Sequence, residues 1–320
     1  MLWRLRFGPL LVLLLSACAS DFNLTQPADV ILEQAHIGGT VVAFNTDSTI
    51  LASGGTEGDI QLSSVPEGKS IARVRAHRGQ IYGIDFLDAA HFVSAGHDGR
   101  VVIWDTSGKP LREMQTPSPI SRMVASAQDH LIVTGHKDGA VRIWRLPELT
   151  LEKEYARHRG MVHAVAWHSP SKRLASSGSG GRVLVWGSDS APVELGTASS
   201  DVPALRFSPD GRTLIGGGWF RLFRWDVASG ALVVIPTEHH GLIFSLRYVD
   251  DGNTLASISR HTDSSVYFLD AQTGSVLRRF QRHELCGADI AVSPDKRYLA
   301  TTSDDTSVRL WDLRNPPPKR

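Results

Sequence analysis

The chain repeats itself about every forty residues, and this period limits the possible fold more than any other feature. Five segments end in the same way: "HFVSAGHDGRVVIWD", "LIVTGHKDGAVRIWR", "RLASSGSGGRVLVWG", "TLIGGGWFRLFRWDV" and "YLATTSDDTSVRLWD". The tryptophans are Trp104, Trp144, Trp186, Trp225 and Trp311, spaced by 40, 42, 39 and 86 residues, the last gap being two repeats. The skipped copy ends at Leu269, and a degenerate copy, "LASGGTEGDIQLSS", puts Ser63 in the tryptophan slot. A second landmark runs in phase, because Phe44, Phe86, Trp167, Phe207 and Tyr248 each close an alternating run. Turn signals such as "SPDG" and "DDGN" follow several of them, where Pro sets the bend and Gly relieves the backbone. A third landmark precedes each run: "AHIGG", "AHRGQ", "RHRGM", "EHHGL", "RHELC".

Each unit therefore reads as four strands, and no helical periodicity appears beyond the N-terminal leader. Four strands per unit of about forty residues is the period of a β-propeller blade, and seven units are present. The expectation is an all-β, seven-bladed ring.

The landmarks resemble those of the WD-repeat β-propellers over residues 29–313. The resemblance implies a buried tetrad in each blade: a His, a Ser or Thr, an Asp and a Trp joined by hydrogen bonds. Blade 2 offers His77, Ser94, Asp98 and Trp104, and blade 7 offers His283, Thr301, Asp305 and Trp311. Blade 3 keeps Thr134, Asp138 and Trp144 but has Pro117 and Ser118 where His is expected. Blade 4 keeps His158, Ser176 and Trp186 with Gly180 in the Asp slot, and blade 6 keeps His239, Ser257 and Asp263 but ends in Leu269. Such groups need one another, since a buried polar group without a partner costs about 1–3 kcal/mol.

After Trp311 the chain continues only to "DLRNPPPKR", so the last unit lacks an outer strand. The segment "DVILEQAH" at 29–36 aligns with "SVLRRFQRH" at 275–283 and is expected to supply it. That closure removes an open sheet edge.

The leader, "MLWRLRFGPLLVLLLSACAS", has a run of apolar and small residues from Phe7 to Ala17, too short for a span of about 20 residues. Arg4 and Arg6 precede it, as in a secretory signal. Leu15-Ser16-Ala17-Cys18 resembles the bacterial lipobox. The resemblance implies removal of residues 1–17, lipidation of Cys18, and a tether over 18–28 before the propeller at 29–313 and a basic, Pro-rich tail at 314–320. Ala19, not Asp, follows the cysteine, which favours the periplasmic face of the outer membrane. Loss of Arg4 and Arg6 takes the net charge from +1 to −1, which gives no electrostatic drive toward nucleic acid. With Cys18 lipidated, Cys286 has no partner in the chain, and it reads as a small apolar residue near a strand start.

The thirteen histidines show no HxH or HExxH spacing, so no metal site is expected. "SSGSGGR" runs into a strand rather than a helix and reads as a hairpin, not a phosphate loop. Asn23-Leu24-Thr25 matches a glycosylation acceptor with no obvious use here. Blade 5 departs from the pattern with Trp219 and Phe220 at its hairpin, either as partner anchors or as filling for the missing tetrad. In WD-repeat relatives partners meet the face bearing the residue before the tetrad Asp and the start of the innermost strand. Carried over, this gives His97, Lys137, Thr262 and Asp304, with Tyr82, His163 and Phe244. The expected function is a membrane-anchored, non-enzymatic platform for another envelope protein, with no cofactor and no small-molecule substrate. A propeller enzyme or ligand binder working in the central channel is the alternative, for which the innermost strands offer only Asp85 and Asp289 as scattered carboxylates.

Overall fold

The computed structural model describes residues 25–156, 158–187 and 191–316. The leader, Cys18 and the Asn23 acceptor lie outside these residues. The described chain forms seven antiparallel sheets arranged as blades. Blade 1 runs from Gly39–Phe44 to Ser70–Arg75, and blade 2 from Ile81–Phe86 to Pro110–Gln115. Blade 3 runs from Ile120–Ser126 to Thr150–Ala156, and blade 4 from Ala164–His168 to Val193–Glu194. Blade 5 runs from Ala204–Phe207 to Leu232–Pro236, and blade 6 from Leu242–Tyr248 to Val276–Phe280. Blade 7 opens with Gly287–Val292, and its third strand is Val308–Asp312. The first strands touch one another all the way round, which places them at the axis.

Both faces of a blade are covered by neighbours, so the middle strands are apolar or small without interruption. Leu131–His136 and Tyr298–Ser303 are buried at every residue. The core is accordingly seven wedges, each shared by two blades. Trp104 packs with Ile60 and Leu62 of blade 1, Trp186 with Val133 and Val141 of blade 3, and Trp311 with Phe268 and Phe280 of blade 6. The repeating tryptophan is thus an interface residue aimed at the preceding blade, and Leu269 does the same job in the wedge between blades 5 and 6. Hairpin geometry is local: Gly139 has φ +84°, and a Cβ there would lie 2.3 Å from the His158 carbonyl oxygen.

The ring closes as the sequence leads one to expect. Val30–Leu32 pairs antiparallel with the third strand of blade 7, with Val30 opposite Leu310 and Leu32 opposite Val308. The fold begins earlier than residue 29, however. Thr25–Gln26 runs parallel to the outer strand of blade 6, with Thr25 opposite Arg279 and Gln26 opposite Phe280. The Gln26 carbonyl accepts the Gln281 backbone N–H at 2.8 Å and the Trp311 indole N–H at 3.3 Å. Residues 25–28, read from the sequence as tether, therefore clasp blades 6 and 7 together. Their pairing is parallel and only two residues long, a pattern with no strand-like signature of its own.

Removing residues 1–34 should cost far more than removing 315–320. Several backbone groups of blade 7 and the Trp311 N–H would lose partners, at about 1–3 kcal/mol for each left buried. Urea unfolding of chains starting at residue 25 and at residue 35 checks this. The shorter chain should unfold at clearly lower urea, and coincident curves would refute the clasp.

Candidate functional site

The tetrads are polar pins in the blades, and their variation shows how each blade solves the same burial problem. In blade 2, His77 Nδ1 bonds Asp98 at 3.0 Å, His77 Nε2 bonds Ser94 Oγ at 2.7 Å, and Trp104 Nε1 donates to Ser94 Oγ at 2.9 Å. Burial opposes ionisation of Asp98, but His77 and the Arg78 and Arg100 amides bring its pKa down to about 2. Blade 6 joins His239 to Asp263 at 3.2 Å and to Ser257 at 2.8 Å, with Leu269 where an indole would be.

Three blades differ from the sequence expectation. In blade 7, His283 meets Asp305 at 2.9 Å and Thr301 at 2.7 Å, but Trp311 donates to the Gln26 carbonyl and not to Thr301. The clasp has taken over that indole. In blade 3 the imidazole comes from His136, two residues after Thr134, which it meets at 2.7 Å; its other nitrogen faces the Ser118 carbonyl at 2.9 Å. Trp144 donates to Thr134 at 2.8 Å, while Asp138 turns away to Arg142 at 3.0 Å. In blade 4, His158 reaches Ser176 at 2.6 Å, but with Gly180 in the Asp slot its Nδ1 has no partner among the described residues, and neither does Trp186 Nε1.

Blade 5 resolves the question raised by its aromatics. Gly216 leaves the Ser/Thr slot empty beside Val202 and Trp225, and fully buried Phe223 fills the space next to Gly218, where a Cβ would lie 2.3 Å from its ring. Trp225 donates to the Gly196 carbonyl at 2.6 Å. Trp219 and Phe220 are therefore not the filling, being 38% and 46% exposed. Phe220 takes φ +63°, a left-handed conformation that disfavours an aromatic residue. Trp219 stacks on His261 at 5.2 Å and an interplanar angle of 15°.

The face bearing the second-to-third-strand hairpins brings most of the expected partner-binding residues into one belt. Lys137 Nζ donates to His97 Nε2 at 2.8 Å, bridging blades 3 and 2, and the His97 ring lies 6.3 Å from that of Tyr82. Arg260 pairs with Asp304 at 2.8 Å and lies 5.2 Å from the centre of the Phe244 ring. Thr262 donates to the His240 carbonyl. His163 sits apart from this line, 3.6 Å from Asp201. Cys286, half-buried, lies against the His261 carbonyl.

The channel is more charged than the sequence reading allowed. The bulged residues Tyr82 and Phe244 sit at its rim, and the residues below them point inward. Besides Asp85 and Asp289, the innermost strands bring Arg122, Arg206 and Arg247 to a cavity of about 200 Å³. Aligning these strands in register would have revealed them, since Arg122 falls where blades 2, 4 and 5 place Gly83, Ala164 and Ala204. Asp289 is consumed by the Ser245 hydroxyl at 2.6 Å and the Val42 amide at 3.1 Å. Burial pushes the Asp85 carboxyl up to about 6, against the pull of the Ala125 amide. Among the described residues no cluster of three His, Cys, Asp or Glu side chains is disposed to hold a metal.

With that geometry in view, the matches to known proteins are consistent. A family model described as "IP5P C-F beta-propeller" matches residues 41–201, and one described as "WD domain, G-beta repeat" matches residues 274–312. The chain is a WD-repeat β-propeller. It is 32% identical over 195 residues to nuclear distribution protein PAC1 of Arthroderma benhamiae, covering 61% of this chain and 34% of that one. Ribosome biogenesis protein YTM1 of Phaeosphaeria nodorum is 28% identical over 272 residues, covering 70% and 57%. WD repeat-containing protein 55 of Arabidopsis thaliana is 21% identical over 287 residues, covering 85% and 79%. The chain thus spans about a third of the PAC1 relative's length. WD-repeat propellers of this kind are scaffolds for protein–protein contact.

Two pins keep one imidazole nitrogen unpaired among the described residues, His158 and the blade 1 histidine His36, whose Nε2 meets Ser53 Oγ at 2.7 Å, and they give the propeller an acid liability. Burial, reinforced by Arg73, lowers His36 from 6.5 to about 4. Its folded pKa lies below the unfolded one, so between these values the unfolded chain binds more protons and stability falls as the pH drops. By pH 4 the loss from His36 should reach about 3 kcal/mol. Urea melts of wild type and His36→Gln check this. Wild type should be the more stable at pH 7 and lose most of that lead by pH 4, whereas a lead independent of pH would contradict the assignment. His158, lowered to about 4 by burial and then by Arg182, acts in the same direction.

Proposed function

We propose that this propeller is a non-enzymatic platform that holds a polypeptide partner on its hairpin face, with the contact centred on blades 5 and 6. The observation that carries the reading is the pair Trp219 and Phe220, half-exposed on a strained hairpin and continuous through His261 and Arg260 with Phe244. Large aromatics in this state add little to folding, yet at an interface each can be worth 2 kcal/mol or more. The channel alternative finds less support. A hydrolytic or metal-dependent centre needs convergent free carboxylates or ligands, and here Asp289 is bound by Ser245 and Val42 while Asp85 accepts the Ala125 amide.

We further propose that the chain is a bacterial lipoprotein, anchored through Cys18 and facing the periplasm from the outer membrane. What supports this is the Leu15-Ser16-Ala17-Cys18 motif behind a short basic and apolar leader, followed by Ala19. Pairing from Thr25 onward leaves seven residues from Cys18 to Leu24, a reach of about 25 Å at full extension. On this reading the partner belongs to an envelope assembly close to the membrane.

Trp219→Ala combined with Phe220→Ala should reduce partner recovery from crosslinked envelopes several-fold. Its thermal stability should fall by much less than the roughly 3–5 kcal/mol of a buried aromatic. Full recovery by this variant would refute the face assignment. Cys18→Ala should abolish labelling by an alkyne fatty acid and release the protein from membranes; label retained on the variant would refute the anchor.

A further inference from the structure

Resting on the platform reading above, we propose that Arg122 is a seat for a carboxylate, which the polypeptide partner supplies as an acidic side chain at the mouth of the channel. Arg122 belongs to the innermost strand of blade 3, yet its guanidinium crosses the channel to blade 6 and lies 5.2 Å from the centre of the Phe244 ring. Its one hydrogen bond runs to the carbonyl of its own neighbour, Ser121, at 2.7 Å. A guanidinium has five N–H donors in a fork that fits a carboxylate, so most of this one is unused. Among the described residues no carboxylate pairs with it. The carboxylates nearby are already engaged, Asp304 by Arg260 at 2.8 Å and Asp289 by Ser245 at 2.6 Å.

An enclosed cation without a counter-charge is costly, and this one is held in place by a ring face rather than by an anion. Burial lowers its pKa from the ordinary value; Tyr82 and the Asp289 charge pull against that without pairing with it, and the positive Arg260 adds to the lowering. Deeper in the channel, Arg206 is also bonded, among the described residues, only to its neighbour's carbonyl, Leu205, at 2.7 Å. The small residues Gly83, Ala164 and Ala204 keep the cavity of about 200 Å³ open beside Arg122. On the hairpin face Lys137 likewise meets no carboxylate among the described residues, its ammonium donating to His97 Nε2. The field at the mouth therefore favours an anion. A free small acid would fill the seat but leave Trp219 and Phe220 uncovered, whereas an acidic side chain on a polypeptide would bring apolar neighbours for them.

The test uses the purified full chain, wild type and Arg122→Gln, with two probes: citrate in thermal melts at constant ionic strength, and fluorescein-labelled hexaglutamate in anisotropy titrations. Citrate should raise the melting midpoint of wild type and leave that of Arg122→Gln unmoved. The hexaglutamate Kd should weaken at least tenfold in Arg122→Gln, remain the same in Lys109→Gln, which alters an exposed lysine in the turn between the third and fourth strands of blade 2, and rise when citrate competes. Without ligand, Arg122→Gln should melt no lower than wild type, because the variant removes an unpaired charge, so lost binding cannot be lost folding. Equal responses of wild type and Arg122→Gln, or no response to either probe, would overturn the seat. A response to citrate without one to hexaglutamate would overturn the side-chain source and assign the seat to a free carboxylate. The Trp219 and Phe220 pulldown is independent of these outcomes, so the platform reading and the seat can fail separately.

Discussion

Everything in this molecule depends on closing the ring. Each blade has two apolar faces and buries both only when a neighbour stands on each side, so the core exists as seven wedges and not as one centre. An open ring would expose the wedge between blades 7 and 1, with Phe44, Leu51, Tyr298 and Leu310. The closure is therefore carried by the most distant parts of the sequence. Val30–Leu32 completes blade 7, and Thr25–Gln26 reaches blade 6 as well. The Trp311 indole, which would otherwise pin its own blade, instead bonds the Gln26 carbonyl.

The tetrads show the same trade on a smaller scale. The slot at the wedge is filled by tryptophan in five blades, leucine in blade 6 and buried Ser63 in blade 1, and the fold tolerates several ways of making the polar pin behind it. Blade 2 has the full set, blade 3 draws its imidazole from His136, and blade 4 leaves His158 Nδ1 and Trp186 Nε1 without partners. An unpaired buried group costs about 1–3 kcal/mol, which a ring with seven apolar wedges can absorb. Blade 5 discards the pin and packs Phe223 into the space.

The repeat, the blade count and the closing strand were legible because they rest on period and on the pattern of burial. What escaped the sequence depends on pairing in space. Thr25 and Gln26 look like linker because a two-residue parallel contact leaves no alternation. His136 was hidden because its role passes from the loop before the first strand to the end of the second strand. The charge of the channel was missed because Arg122, Arg206 and Arg247 sit at positions that several other blades fill with small residues such as Gly83, Ala164, Ala166 and Ala291, and only strand register shows that they point at the axis. Conversely, Trp219 and Phe220 stood out by composition, but only their exposure and the filling by Phe223 separate surface from core.

The functional account then reduces to one surface, a belt from Phe220 through Trp219, His261 and Arg260 to Phe244 and Arg122 at the axis. It joins aromatic area to an unspent cation, the combination that a polypeptide with both apolar and acidic side chains would satisfy. Site-specific photo-crosslinking in living cells tests it most directly, with a benzophenone amino acid placed at Phe244, at Phe220, and at Leu111 and Leu277 on exposed outer strands. The account predicts a discrete crosslinked protein from positions 244 and 220 and none from 111 and 277. Crosslinks confined to the outer strands would contradict it.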